Sequence, residues 1–426
     1  MINPIPHGKS GLRVMLWGVG AFTQGVLHIL KEQGATVCTY LTRDYAHYSP
    51  ALEGSTFLPE MYPNPVTLIE REQIDLVIPM SIDWILADWT QDFLDRQIPI
   101  FSPNLVGMLL ERDRNFAREL CQKYQIPFPE AYVARNRLEA LHLLETHQKA
   151  FVIKNTLCSP TSPIHTIICE SPEDTISWLD QINYAEGVFL QEYMGRREAG
   201  HIALVSNGEI TSLVTNQEYK RAFNGNMGIV AGAPLGGLVE KDPDDKYGIA
   251  RELLHPLLPW FREVNFHGPV QVTAIRKNDR WWVLEYNVRI GVTSGPMILK
   301  MLENPLEVLW NTARNQKLIL KFKEKLEFGC SLTLVGYGYP YVQLTGPRLP
   351  VTVKADLDSD IWWNEVARDA KDQLYMTGHR IADIVAYGAT LPEAIQKAYT
   401  NIKKIHCIGS YYRTDIGDSL WPPGNE

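Results

Sequence analysis

Long apolar runs are the first thing this 426-residue chain lacks. No apolar run approaches the roughly 18 residues of a spanning helix. No basic start followed by an apolar stretch marks a secretory signal. A cytoplasmic protein is expected. Cysteine is sparse and scattered: Cys38, Cys121, Cys158, Cys169, Cys330 and Cys407 form no C-x-x-C pair. That spacing suits neither a zinc site nor a disulfide framework, and it predicts reduced thiols in packed positions. Positive charge is in deficit, with 41 Lys and Arg against 49 Asp and Glu and a net charge of −8. Without a basic run or an aromatic-interleaved basic stripe, nucleic acid is not expected as a partner. Ser-His-Asp, Cys-His and H-E-x-x-H patterns are absent too, so no side-chain nucleophile or zinc hydrolase centre is indicated. Repeats and low-complexity segments are also missing.

What is present reads as a soluble, multidomain α/β protein. The length exceeds one compact core and predicts two to four domains. Hydrophobic content of 45% and charged content of 21% are ordinary. Residues 12–17 read as a buried strand, followed by the turn Gly18-Val19-Gly20 and a helix with Phe22, Val26, Ile29 and Leu30 on one face. Further strands are predicted at 35–40, 74–79 and 98–101, the opening of a doubly wound domain. The G-x-G lacks the third glycine and the acidic residue of a dinucleotide fingerprint. A phosphate or small anion on the helix N-terminus, near Gly18, Gly20 and Thr23, is the expected use instead of NAD.

Downstream, Asp113 can cap a helix over 112–125, with Phe116, Leu120 and Tyr124 at i, i+4 and i+8. Ile126-Pro127-Phe128-Pro129 then stops it. Short strands follow at 150–154 and 187–193, and Asn207-Gly208 predicts a hairpin between 201–205 and 210–215. The stretch 224–245 is rich in Gly, Pro and Asp and too long for a passive connection, so it is a candidate substrate loop. Beyond 328 the pattern gives strands at 331–335 and 384–387, a helix over 392–404 with proline at its first position, and a frayed tail at 421–426.

The most informative stretch is Leu284-Glu285-Tyr286-Asn287-Val288-Arg289-Ile290-Gly291. It ends a predicted pair of antiparallel strands, 270–275 and 281–284, turning at 277–280. Residues i and i+2 of a strand share a face, so Glu285 and Asn287 present a carboxylate and an amide oxygen side by side. Hard oxygen ligands suit Mg²⁺, which takes its other ligands from phosphates and water. Arg289 adds a guanidinium matched to phosphate or carboxylate geometry. The spacing points to a nucleotide–metal site in an enzyme that consumes ATP. A plain surface strand would carry the same letters.

This order of pieces resembles the ATP-grasp ligases and, within them, the glycinamide ribonucleotide synthetase (phosphoribosylamine–glycine ligase) family. The resemblance is carried by Leu284 to Gly291, similar to the family's Glu-Tyr-Asn-x-Arg-x-Gly signature. It is carried also by Tyr387 to Tyr399 followed by Gly409 to Gly417. Weaker matches are 111–118, 151–154, 191–198 and 218–221. The resemblance implies an α/β (α+β) ATP-grasp fold. A Rossmann-like domain would span 1–104, the ATP-grasp domain 105–327 with a lid subdomain about 125–190, and a small α/β domain 328–426. It also implies roles. Lys154 would touch the α- and β-phosphates, with Arg114 where the family has another lysine. Gln191, Glu192 and Tyr193 would form the hinge that reads adenine, and Glu198 would accept from the ribose hydroxyls. Glu285 and Asn287 would hold Mg²⁺, with Mn²⁺ as the alternative metal. Arg289 would face the acyl phosphate or substrate anion, and Lys220 and Arg221 would line the acceptor side. The implied partners are an amino acid and an amine, for a monomer or homodimer.

Three segments depart from the family pattern. Gly18 to Gly25 stands where the family has Gly-Gly-Arg-Glu-His. Thr156 to Pro163, with two prolines and no glycine, replaces the glycine-rich loop over the phosphates. Val292-Thr-Ser-Gly-Pro296 replaces an acidic Asp-Pro-Glu. Three readings therefore stay open: the glycine–phosphoribosylamine ligase, a paralogue with the same acyl-phosphate chemistry on another pair, and a non-catalytic nucleotide-binding homologue.

Overall fold

The computed structural model describes residues 11–42, 52–158, 166–341 and 348–418. Most of the stretch replacing the phosphate loop and the whole tail at 421–426 lie outside them. The first unit is a four-stranded parallel sheet in the order β3-β2-β1-β4. Its strands are β1 (Arg13–Trp17), β2 (Thr36–Tyr40), β3 (Ser55–Phe57) and β4 (Leu76–Pro79). The helix Gly20–Glu32 joins β1 to β2. As a parallel strand should, β1 is apolar on both faces. Val14 and Leu16 enter one buried cluster, while Met15 and Trp17 enter another. Trp17 packs there with Trp84, Trp89 and Phe93 at ring separations of 5.9, 5.0 and 4.9 Å.

The strand expected at 98–101 does not form. The segment makes one bridge, Val77 to Ile100, because Pro99 has no N–H to continue a ladder. The helix expected over 112–125 is Arg114–Lys123, capped by Asp113, whose carboxylate accepts from the N–H groups of Asn115 and Phe116. An unforeseen helix, Leu105–Arg112, runs directly into that cap.

The second sheet is antiparallel in the order β5-β8-β6-β7, from β5 (Ala131–Ala134), β6 (Phe151–Asn155), β7 (Thr166–Ile167) and β8 (Val188–Glu192). The third is nine-stranded. It uses β9 (Glu198–Ser206), β10 (Glu209–Glu218), β13 (Gly236–Lys241), β14 (Gly268–Lys277), β15 (Arg280–Asn287) and β16 (Phe328–Gly336). Its order is β15-β14-β9-β10-β13-β16, continued by Arg380–Gly388 and Asp360–Trp363, and the ninth strand, Ser410–Tyr411, pairs with β16 off this path. The β9–β10 hairpin turns on Asn207 and Gly208, both at positive φ, as a two-residue Asn-Gly loop requires. The β14–β15 hairpin turns likewise on Asn278 and Asp279. A ribbon of β11 (Arg221–Phe223) and β12 (Met227–Val230) stands apart from this sheet.

One sequence-based expectation changes here. The stretch 224–245 is not one loop, since it holds β12 and β13. Gly236 and Gly237 look like turn residues but serve close packing. A Cβ on them would meet Ile416 at 2.9 Å and Thr293 at 2.8 Å. The border drawn at 327/328 also runs through a sheet, because β16 pairs with β13 over Gly236–Glu240.

Candidate active site

A cavity of about 230 Å³ opens where β6 and β8 face the ends of β9, β10 and β15. Strand periodicity supplies its wall. On β6, Phe151 and Ile153 pack into the apolar core of the second sheet, while Val152 and Lys154 line the cavity with Gln191 of β8. The Lys154 ammonium donates to Gln191 Oε1 at 2.7 Å and to the Leu284 carbonyl at 3.1 Å, which ties β6 to β15. Burial lowers its pKa to about 8, with Arg114 and Lys220 adding to the effect and Glu285 opposing it.

Glu285 and Asn287 both line the cavity, as their i, i+2 spacing on β15 predicted. Between Glu198 and Glu285 sits the Lys220 ammonium, 3.1 and 3.0 Å from their oxygens. Burial alone would raise the Glu285 carboxyl. Lys220 and Lys154 outweigh it and hold that group well below the usual carboxylate range. Lys220 is held well above the ordinary lysine range, since Glu198, Glu285 and Glu218 more than offset its burial. Glu198 thus pairs with Lys220. Arg196 bonds Glu170.

Arg289, just past β15, lies 3.3 Å from Glu111 and 3.4 Å from Asn287 Oδ1. Arg114 donates to the Asn155 carbonyl. Glu192 and Tyr193 spend their N–H groups on the carbonyls of Glu130 and Ala150. The cavity therefore gathers Arg114, Lys154, Gln191, Glu192, Tyr193, Glu198, Lys220, Glu285, Asn287 and Arg289. Arg221 lies in a smaller recess that shares Tyr193, Glu198 and Lys220 with it.

Gly18, Gly20 and Thr23 are not brought to this cavity. The Gly18 N–H donates to the Tyr40 carbonyl at 3.1 Å, and the Thr23 hydroxyl donates to the Val19 carbonyl at 2.9 Å. A Cβ at Gly20 would come within 2.5 Å of Asn364 Oδ1, so the Asn364 side chain sits beside this turn.

Two lining carboxylates carried no assigned role in the sequence. Glu111, 8% exposed, binds Arg289 and accepts from the Val288 N–H at 2.7 Å. Burial pushes its carboxyl up against the pull of Arg289, and does the same at Glu218 against Lys220 and Arg289. The available signals were a lone carboxylate after Leu109-Leu110 and the i, i+2 spacing of Glu218 and Lys220. Among the described residues His201, Asp242 and Asp245 also cluster. Each of the four carboxylate oxygens there already accepts a bond, from Lys246 N, Thr215 Oγ1, Ala250 N and Arg251 N. That group is a capping network.

Residues 112–293 match the family model for the phosphoribosylglycinamide synthetase ATP-grasp (A) domain, and residues 330–419 match the model for its C domain. The phosphoribosylamine–glycine ligase of Clostridium acetobutylicum is 27% identical over 370 residues, covering 83% of this chain and 87% of that one. That of Fusobacterium nucleatum is 24% identical over 371 residues, covering 83% and 85%. The crystal structure of phosphoribosylamine–glycine ligase from Thermotoga maritima superposes with a TM-score of 0.78 at 22% identity, over 95% of this chain and all of that one. Biotin carboxylase from Campylobacter jejuni gives 0.70 at 11% identity, over 94% and 92%. The structural likenesses establish the ATP-grasp fold.

Proposed function

The chain belongs to the phosphoribosylglycinamide synthetase family of ATP-grasp ligases, and from that premise we propose that it joins glycine to phosphoribosylamine with conversion of ATP to ADP and phosphate. The observation that carries this reading is the convergence of Lys154, Glu198, Glu285, Asn287 and Arg289 on one cavity.

A carboxylate does not acylate an amine because oxide is a poor leaving group. Transfer of the γ-phosphoryl group to a glycine oxygen gives a mixed anhydride and ADP. The amine nitrogen then attacks that carbonyl, phosphate departs, and the nitrogen loses a proton. The demands on the protein are placement and charge neutralisation. Lys154 is held by two acceptors at the cavity wall, where its ammonium can meet the phosphates. Glu198 presents a carboxylate to ribose hydroxyls. Arg289, braced by Glu111, offers two parallel N–H donors to the acyl phosphate.

The donor set of Glu285 and Asn287 fits a hard divalent cation, since Glu285 stays ionised and both ligand atoms are oxygens. These two residues would hold Mg²⁺ or Mn²⁺. When bound, the ion supplies charge stabilisation to the phosphates. Lys220 contacts both Glu285 and Glu198 and sits between them; in this reading it faces the amine.

The placement of Gly18, Gly20 and Thr23 away from the cavity favours a second reading, a ligase of the same chemistry with another amine. ADP release by the purified protein, with ATP, Mg²⁺ and glycine, with and without phosphoribosylamine, tests both. ADP formed only with both substrates, together with the glycinamide ribonucleotide mass, supports the first. Tight nucleotide binding without turnover moves the assignment to the second.

A further inference from the structure

The closing segment Tyr411–Gly417 is a family-like motif that the ligation chemistry leaves unused. It does not touch the cavity, yet most of its polar contacts go to the cavity's wall. That wall runs from Lys220 to Pro234. Lys220, Val230, Ala231, Gly232 and Pro234 line the cavity, and Arg221 and Asn226 line the adjoining recess. Its ribbon, β11 and β12, is poorly equipped to hold itself. Two-stranded ribbons are marginal alone, and Phe223, Met227 and Ile229 are 40%, 60% and 40% exposed.

Two guanidiniums from the C-terminal part hold it at both ends. Arg413, 1% exposed, donates from Nη1 to the Arg221 carbonyl and from Nη2 to Asn226 Oδ1, both at 2.9 Å. Asp415 fixes that guanidinium with bonds of 2.8 and 2.6 Å. Around it Asn224 and Thr414 exchange two bonds of 2.7 and 3.0 Å, and the Gly225 N–H donates to Asp415 at 2.9 Å. At the far end Arg380, 6% exposed, donates to the carbonyls of Ala233 at 3.2 Å and Pro234 at 2.7 Å. Asp383 anchors it at 3.2 Å. A planar guanidinium presents five donors in a fixed fork that can hold two ribbon acceptors and a carboxylate at once, whereas an ammonium is a compact charge with three donors.

We propose that Arg413 and Arg380 are positioning residues that hold the wall Lys220–Pro234, and with it Lys220 and Arg221, in register on the amine-acceptor side of the cavity. The C-terminal part acts as an external frame for substrate placement. This rests on the ligase reading above for what the wall contacts, but not for the clamp itself.

The experiment pairs hydrogen exchange of residues 221–235 with steady-state kinetics on two variants of the full chain. Arg413→Lys keeps a charge beside Asp415 but cannot reach both ribbon acceptors. Thr414→Val, at an exposed position, cuts one tie and spares the core. In Arg413→Lys, faster exchange of the ribbon should accompany a rise of about tenfold in KM for the amine, the effect of one lost bond to a charged group. KM for ATP and exchange in β6 and β8 should stay as in the parent. Thr414→Val should shift the same two quantities in the same direction, by about threefold in KM. Unchanged ribbon exchange and amine KM in both variants would overturn the proposal. So would equal increases in KM for amine and ATP. If Arg413→Lys does not fold, Thr414→Val decides by the same readings. A parent that forms no ADP with glycine and phosphoribosylamine would refute the ligase reading instead, and ribbon exchange would still decide the clamp.

Discussion

Nucleotide binding should draw a proton onto Lys154. The buried ammonium has its pKa lowered from 10.5 to about 8. Charging it inside the free protein is therefore disfavoured by about 3 kcal/mol relative to water. A bound polyphosphate brings opposite charge within contact and restores the charged form. With a pKa of about 8, the free protein holds Lys154 neutral in about one molecule in ten at pH 7 and about nine in ten at pH 9. Binding of a non-hydrolysable ATP analogue with Mg²⁺ should thus take up about 0.1 proton at pH 7 and about 0.9 at pH 9. Apparent affinity should fall by about tenfold between the two. The sign for stability follows from the same shift. Between pH 8 and 10.5 the folded protein binds fewer protons than the unfolded chain, so the burial penalty is complete below pH 8. It is relieved as pH rises through that window. Calorimetric titration in two buffers of different ionisation enthalpy measures the uptake, with Lys154→Met as the control. No uptake at pH 9, or the same uptake in Lys154→Met, would refute this account of the cavity.

Three further outcomes are expected. Glu285→Gln removes the carboxylate proposed to hold the metal, and with it the Lys220 partner at 3.0 Å. ADP formation should drop by about two orders of magnitude, a loss of several kcal/mol of charge stabilisation; an unchanged Mg²⁺ titration curve would show that Glu285 is not a ligand. Glu111→Ala leaves Arg289 without its carboxylate and the Val288 N–H without an acceptor. Urea unfolding should register a loss of about 3 kcal/mol, as for a broken buried ion pair, and a loss below experimental error would argue against the brace. Gly20→Ala forces a Cβ at φ 79° to within 2.5 Å of Asn364 Oδ1. Thermal unfolding should report a loss of about 1–3 kcal/mol, while an unaltered melting temperature would mean the turn is looser than described.

Much of the scaffold was legible because its signals are local. The Asn-Gly turn between β9 and β10, the Asp113 cap and the period-2 spacing of Glu285 and Asn287 depend on a few neighbouring residues. Other features depend on distant partners and so misled. Gly236 and Gly237 read as a loop, but Ile416 and Thr293 press against β13 and leave no room for side chains. The segment 98–101 has strand-like letters, yet Pro99 lacks the N–H that pairing needs.

By itself the sequence determined the strand-and-turn framework and the cluster of metal-competent oxygens on β15, since side-chain alternation is a property of a strand wherever it lies. It also carried the family resemblance that places Lys154 and Glu198 in one site. Tertiary structure alone decided the electrostatics. The Lys220 ammonium meets Glu198 and Glu285, which are 22 and 65 residues away along the chain. Glu111 reaches Val288 across 177 residues. Charge pairing and desolvation depend on distance and burial in space, and no local pattern encodes either.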